Sequence, residues 1–283
     1  MTVDFHSLAR EAARRLEGTQ APDEEAYELI RFAFGKNRAQ LLTDPVGETD
    51  EPSVDEFYRL IEKRLSGYPL QYLIGEWDFY GHTFALDENV LIPRTETEQI
   101  VYEAISFYRG LAKADCVIVD MCTGSGCIGL SVASAAPRTK VYICDISDGA
   151  LACAEKNRSR LGLNNVTVVK YDVYKGFFPD VLPHPDIFLC NPPYVPSEEL
   201  PRVQKEVSYE PELAVNGGTG GMDYYGVLCK NWLYSLNSGG FFMFESGEGQ
   251  PEKILELIDR SVFDAESESD ICGIVRFVKG IKR

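Results

Sequence analysis

Asp186-Ile187-Phe188-Leu189-Cys190-Asn191-Pro192-Pro193-Tyr194 is the stretch that decides how the chain is read. A short apolar run that stops abruptly at Asn-Pro-Pro-Tyr reads as a buried strand. It delivers one polar side chain to its carboxyl end, where ligands of open α/β sheets bind. The two prolines lack N–H groups and fix φ, so the turn offers only acceptors: the Asn191 side-chain oxygen and the Pro192 carbonyl. Two acceptors match the two hydrogens of one NH2 group. In a carboxamide or an aminopurine the nitrogen lone pair is conjugated, and positive charge grows on that nitrogen as it attacks. Acceptors held at its hydrogens stabilise the charge, and Tyr194 can cover the flat face of the group. The competing structural reading is an ordinary Pro-rich turn, since Asn-Pro marks turns by itself.

Outward from this stretch, short apolar runs alternate with helical stretches from Cys116 onward, the pattern of a mostly parallel α/β sheet. Strands are expected near 116–121, 140–145, 166–171, 186–190, 240–245, 262–267 and 273–279. The last two lie too close together for a crossover helix, which predicts an antiparallel hairpin at one edge of a seven-stranded sheet.

The first of these strands runs into Met121-Cys122-Thr123-Gly124-Ser125-Gly126, and a helix is expected to begin near Ile128. Glycines let the backbone approach a ligand, and the free N–H groups of a helix start favour a carboxylate or phosphate. The second strand ends at Asp145, placed to accept both hydroxyls of a ribose. Asp172, after the third, can receive an exocyclic adenine amine while Val173 packs on the ring. Each aspartate alone is an ordinary strand-end residue; their placement at successive strand ends points to a nucleoside cofactor. Gly124, Gly126 and Gly129 also spell G-x-G-x-x-G, and Tyr171 with Lys175 supplies a Tyr-x-x-x-Lys spacing, so a dinucleotide dehydrogenase competes. That reading leaves Asn191 unexplained. A methyl donor with adenosyl and amino-acid portions accounts for both halves of the site.

Composition narrows the function classes. With 283 residues and 45% hydrophobic content, the chain can bury a full core beside a smaller partner domain. No run is apolar enough to span a membrane, and Met1 to Arg15 lacks the apolar segment of a signal peptide, so a cytoplasmic location is expected. The eight cysteines form no CxxC pair; Cys116, Cys144 and Cys190 fall inside apolar runs and read as reduced core residues. Three scattered histidines make a metal site poorly supported, and none is expected. A net charge of -16 opposes nucleic acid as a direct partner.

Before the sheet, Leu8, Ala12 and Leu16, then Tyr27, Ile30 and Phe34, then Phe57, Leu60, Ile61 and Leu65 recur at helical spacing, with breaks at Thr19–Pro22, Phe34–Asn37 and Thr43–Pro52. This is a small helical domain, expected over residues 1–75. Glu76 to Phe84 reads as an aromatic hairpin turning near Gly81, within a linker over 76–92, and the sheet domain occupies 93–283. Thr95 with Glu98 three residues on predicts a capping box opening a helix to about Tyr108, and Arg94 is left as a contact for substrate or cofactor.

At this point the chain resembles a known family, the class I S-adenosylmethionine methyltransferases, and within them the release factor glutamine N5-methyltransferases. The resemblance rests on Pro69-Leu70-Gln71-Tyr72-Leu73-Ile74-Gly75, Phe79-Tyr80-Gly81, Leu91-Ile92-Pro93-Arg94, Thr123-Gly124-Ser125-Gly126, Asp145-Ile146-Ser147, Asn191-Pro192-Pro193-Tyr194, Glu210-Pro211 and Gly247-Glu248-Gly249-Gln250. It implies a Rossmann-like methyltransferase sheet and methylation of the glutamine amide in the Gly-Gly-Gln motif of class 1 peptide chain release factors. It also implies a role for each site residue. Asn191 and the Pro192 carbonyl would hold the amide hydrogens, with Pro193 completing the turn and Tyr194 packing on the amide. Cys122, Thr123, Gly124, Ser125, Gly126, Asp145, Asp172, Val173 and Asn191 would hold S-adenosylmethionine. Apart from the resemblance, the helical domain is expected to recognise the protein substrate, because it precedes a complete cofactor-binding sheet and carries no catalytic constellation of its own, and the enzyme is expected to act as a monomer. Cys122 departs from the family's first loop glycine, and Thr95 from its usual proline. Ribosomal protein glutamine methylation shares every catalytic residue, and DNA adenine methylation shares the Asn-Pro-Pro-Tyr motif, so both remain open.

Overall fold

The computed structural model describes residues 1–111, 113 and 115–283. The chain forms two units, Met1–Glu76 with Gln204–Tyr209, and Trp77–Val203 with Glu210–Arg283, and passes between them three times.

In the first unit the helical spacing of the sequence becomes α1 (Phe5–Arg15), α2 (Pro22–Phe34), α3 (Arg38–Thr43), α4 (Glu51–Leu65) and the short α5 (Leu70–Ile74). Phe34 sits 5.0 Å from Phe5 and 5.4 Å from Phe57, measured between ring centroids. Leu8, Ala12, Ile30 and Ile61 are buried, as apolar stripes on amphipathic helices require. Side chains close the helix starts: Asp4 accepts from the His6 and Ser7 N–H groups, and Asp50 from that of Ser53. Two strands too short to show a period, β1 (Thr2–Asp4) and β2 (Val46–Glu48), pair antiparallel. Arg64, buried on α4, donates to Glu25 through Nε at 2.7 Å and Nη2 at 3.0 Å, and Nη2 also reaches Glu206. That second carboxylate fastens the Gln204–Tyr209 segment to α4.

The hairpin of β3 (Glu76–Phe79) and β4 (His82–Ala85) opens the second unit from its second residue, Trp77, onward. Its turn residues Tyr80 and Gly81 both have positive φ, +48° and +75°, the backbone sense that suits a two-residue hairpin. Phe79 and Phe84 are buried in one core with Ile100, Val101 and Ala104 of α6 (Glu98–Gly110). The capping box expected of Thr95 and Glu98 does not form. Residues Thr95–Thr97 make a 3-10 turn without a side-chain cap, and Glu98 instead accepts the Tyr80 N–H at 2.7 Å. The tight hairpin turn leaves that N–H without a ladder partner, and the carboxylate satisfies it.

The seven expected strands are β5 (Val117–Met121), β6 (Lys140–Asp145), β7 (Val166–Lys170), β8 (Ile187–Cys190), β9 (Phe241–Glu245), β10 (Phe263–Ser269) and β11 (Val275–Lys282). They form one sheet in the order β10-β11-β9-β8-β5-β6-β7. All neighbours from β7 to β9 run parallel, while β11 is antiparallel to both β9 and β10, so the terminal hairpin is slotted in with β11 inside and β10 at the edge. α7 (Cys127–Ala135) follows β5, and α8 (Asp148–Arg160) follows β6. From β5 the chain winds outward through β6 and β7, then returns to lay β8 on the other side of β5. Strand order therefore reverses between β5 and β8, and the crevice beyond their carboxyl ends is where such sheets take ligands.

Candidate active site

Two turns leave the sheet on either side of that reversal. After β5, Cys122 adopts φ +59°, a left-handed conformation that costs a non-glycine residue roughly 1–2 kcal/mol. The loop is then pinned by backbone bonds: Thr123 N–H donates to the Cys144 carbonyl at 3.0 Å and Gly126 N–H to the Thr123 carbonyl at 2.9 Å. Gly129 allows α7 to lie close on the sheet, because a Cβ there would stand 2.4 Å from the Ile143 side chain. Asp120, wholly buried on β5, accepts from the Thr123 hydroxyl and the Gly129 N–H, and burial pushes its carboxyl up to about 7.

Asp145, at the end of β6, holds the loop from the other side. One carboxylate oxygen accepts the Gly124 N–H at 3.0 Å, and the other the Ser147 N–H, also at 3.0 Å, at the start of α8. Burial pushes its carboxyl up against these bonds. Asn157 of α8, buried among apolar neighbours, makes a third tie. Its Nδ2 donates to the Ser125 carbonyl at 2.9 Å and the Ala85 carbonyl at 3.0 Å, and its Oδ1 accepts the Ala85 N–H at 2.7 Å. No motif singled this residue out; the only signal is a polar residue on a face otherwise filled by Ala150, Cys153 and Ala154. Asp172 caps the turn after β7 by accepting the Tyr174 N–H at 3.0 Å.

Across the reversal point, Asn191 follows a wholly buried β8. Its Nδ2 donates to the Thr97 hydroxyl oxygen at 3.4 Å, and Thr97 donates in turn to Glu245 Oε2 at 2.7 Å. Asn191 Oδ1 is buried and has no hydrogen-bond partner among the described residues. The Pro192 carbonyl accepts no bond from any described residue. The turn is held from behind by Gln250, whose Nε2 donates to the Tyr194 carbonyl at 2.8 Å while its Oε1 accepts the Gly247 N–H at 2.8 Å. Gly221 comes so close that a Cβ would lie 2.1 Å from the Tyr194 carbonyl oxygen. The Tyr194 ring leans, half-buried, against the sheet core, and burial raises its hydroxyl far above the ordinary range.

One cavity of about 230 Å³ joins the two sides. Cys122, Thr123, Gly124, Ser125, Asp145, Asp172, Val173, Asn191 and Pro193 all line it, together with Arg94 and Thr97. Gly126, Pro192 and Tyr194 lie outside its wall. Glu88, Asp145 and Asp172 outnumber the single lining cation, Arg94, which is itself paired with Glu210. That balance suits a positively charged ligand and opposes a pyrophosphate. The dehydrogenase pair is also spoken for: the Tyr171 hydroxyl donates to the Gly176 carbonyl at 2.8 Å and accepts the Phe178 N–H at 3.1 Å.

Known proteins point the same way as the geometry. Residues 7–75 match the PrmC N-terminal domain model, and residues 107–207 match the methyltransferase small domain model. Over 258 residues the chain is 36% identical to a release factor glutamine methyltransferase of Thermodesulfovibrio yellowstonii, spanning 89% of this chain and 90% of that one. This chain belongs to the release factor glutamine methyltransferase family. A second relative of the same name, from Moorella thermoacetica, is 37% identical over 257 residues and covers 87% of each chain. The structure of a methyltransferase from Pyrococcus furiosus superposes with a TM-score of 0.50 at 17% identity, over 81% of this chain and 98% of that one, a likeness of fold alone. Membership of the release factor glutamine methyltransferase family sets aside the dehydrogenase reading. Among the described residues no helix is long and apolar enough to cross a membrane.

Proposed function

We propose that this chain methylates the side-chain amide nitrogen of the glutamine in the Gly-Gly-Gln motif of class 1 peptide chain release factors, with S-adenosylmethionine as donor. The observation that carries the reading is the buried, unpartnered Asn191 Oδ1 on a residue of the cavity wall. A buried acceptor without a partner costs on the order of 1–3 kcal/mol, a cost that an incoming N–H would relieve.

The residues present fit the donor. Asp145 keeps lone pairs for ribose hydroxyls on oxygens already fixed by loop amides, Asp172 and Val173 offer an acceptor and an apolar surface to the adenine, and the acidic wall suits a cation. S-adenosylmethionine, when bound, supplies a methyl group already activated on a sulfonium, so the protein's task is placement and electrostatic support. Asn191 Oδ1 and the Pro192 carbonyl accept the two amide hydrogens, aim the nitrogen, and oppose the positive charge that grows there in transfer. Pro193 holds the turn that spaces them, and Tyr194 packs beside the amide from its place against the core. Residues 1–75 recognise the protein substrate and residues 76–92 link them to the catalytic domain. What supports that division is the relatives' likeness along nearly the whole chain, helical part included.

The test is to incubate the protein with labelled donor and, separately, a class 1 release factor, ribosomal proteins and duplex DNA, then locate the label by mass spectrometry. Label on the Gly-Gly-Gln glutamine is expected. Label confined to a ribosomal protein or to adenine would overturn the substrate while leaving the NH2 chemistry in place.

A further inference from the structure

The Asn191 side chain can serve as an acceptor only if its amide is turned the right way, because a half-turn about its last bond exchanges Oδ1 for an NH2 donor. The backbone does not settle that orientation. The only bond from a described side chain to the Asn191 amide is the one from Nδ2 to Thr97 Oγ1, at 3.4 Å, and a hydroxyl both donates and accepts. What Thr97 does is fixed one step further back. Thr97 is 1% exposed, and its hydroxyl lies 2.7 Å from Oε2 of Glu245, a residue 2% exposed at the end of β9. A carboxylate accepts and never donates, so Thr97 must spend its proton on Glu245 and present a lone pair to Asn191. Only Nδ2 satisfies that lone pair.

We infer that Glu245 is a positioning residue for methyl transfer: acting through Thr97, its ionised carboxylate orients the Asn191 amide with Oδ1 free to accept from the substrate. A protonated Glu245 reverses the relay. The acid O–H can then donate to Thr97, and the Thr97 hydroxyl is released to donate to Asn191 Oδ1. The amide turns over and presents N–H groups to a substrate that also presents N–H groups.

The surroundings place this reversal within reach of neutral pH. Burial is the largest influence on Glu245 and pushes its carboxyl up to about 7, against the Thr97 hydroxyl bond. The charged groups facing it are Arg276 on β11 and Arg94 and Glu96 before α6, with Tyr194 beside Asn191, Tyr225 and Cys127 as neutral titratable neighbours. Both arginines are committed elsewhere, Arg276 to Asp270 at 2.7 Å and Arg94 to Glu210, so neither forms an ion pair with Glu245. The Tyr225 hydroxyl donates to the Glu245 backbone carbonyl at 2.7 Å, which fixes the strand end without touching the carboxyl.

The functional part of this inference rests on the proposed glutamine chemistry, but its structural part is tested without any substrate. In 15N-labelled protein, the side-chain NH2 resonances of Asn191, assigned by their loss in Asn191→Ser, are followed from pH 5.5 to 9. A titration near pH 7 in the wild type that disappears in Glu245→Gln is expected, since glutamine keeps the shape and removes the ionisation. Resonances that do not move in the wild type, or that titrate identically in Glu245→Gln, would overturn the relay whatever the substrate proves to be. With release factor as substrate, the rate of the transfer step should fall on the acid side of about pH 7 in the wild type, while donor affinity does not follow it. Thr97→Val should slow transfer about fivefold to tenfold, the worth of one neutral hydrogen bond, and Thr97→Ser should restore most of it. A Thr97→Val enzyme with the wild-type rate and pH profile would refute the functional role.

Discussion

Replacing Asp145 by alanine should strike the donor site twice. The carboxylate accepts the Gly124 and Ser147 N–H groups, each at 3.0 Å, and Asp145 lines the cavity where a ribose would lie. A hydrogen bond to a charged acceptor contributes roughly 1.5–3 kcal/mol, so losing one to the ribose weakens binding about tenfold to a hundredfold. Releasing Gly124 adds to the loss, because a loop no longer held in its binding form must be ordered by the ligand. Asp145→Asn keeps one acceptor and gives up the charge, so its affinity should fall between the wild type and alanine. Calorimetry with S-adenosylmethionine measures all three proteins, and a thermal melt without ligand checks that each is folded. Asp145→Ala binding at wild-type strength would refute the reasoning and remove Asp145 from the donor site.

Cys122→Gly should keep or improve donor affinity, since glycine adopts φ +59° without the penalty cysteine carries there; loss of activity in a folded Cys122→Gly protein would give the thiol a specific role. Asn157→Ala takes the partners of the Ala85 N–H and the Ser125 carbonyl away in the interior, while the Ala85 carbonyl keeps the Cys153 thiol at 3.2 Å, and should cost about 2–5 kcal/mol of stability, at roughly 1–3 kcal/mol for each buried group left unpaired; a loss below 1 kcal/mol in denaturant melts would contradict this. Arg64→Ala leaves Glu25 buried without its cation and should cost about 3–5 kcal/mol, while Glu25→Gln with Arg64→Met should recover part of it; single and double variants that melt alike would show the pair to be inert.

The centre of the sheet was legible because β8 and, up to Glu245, β9 are runs of consecutive apolar residues, and Ile187 to Cys190 is buried on both faces, which leaves no polar alternation to mislead. The terminal hairpin followed from loop length alone, but the slotting of β11 between β9 and β10 did not, since pairing order depends on contacts with Phe241 to Glu245, some thirty residues earlier. The three-residue strands β1 and β2 are too short to carry a period. The capping box misled because Thr95 and Glu98 have the right spacing, and only the fold reveals a hairpin N–H competing for the same carboxylate. At the site, glycines and strand-end aspartates announce themselves in a single sequence. The relay behind Asn191 does not, because its members lie 94 and 148 residues apart and neither Thr97 nor Glu245 has a pattern of its own. Asn157 is hidden for the same reason, a helix residue whose partners are backbone atoms of a distant strand and loop.

The central claim is that Asn191 acts on the substrate nitrogen during methyl transfer, and single-turnover transfer by Asn191→Ala, with donor affinity measured on the same protein, tests it most directly. Loss of one preorganised partner of a developing charge typically costs on the order of 10² to 10³ in rate. The variant should therefore bind S-adenosylmethionine nearly as the wild type does and methylate the release factor more slowly by about that factor. A transfer rate close to the wild type, or a defect explained wholly by weaker donor binding, would contradict the account.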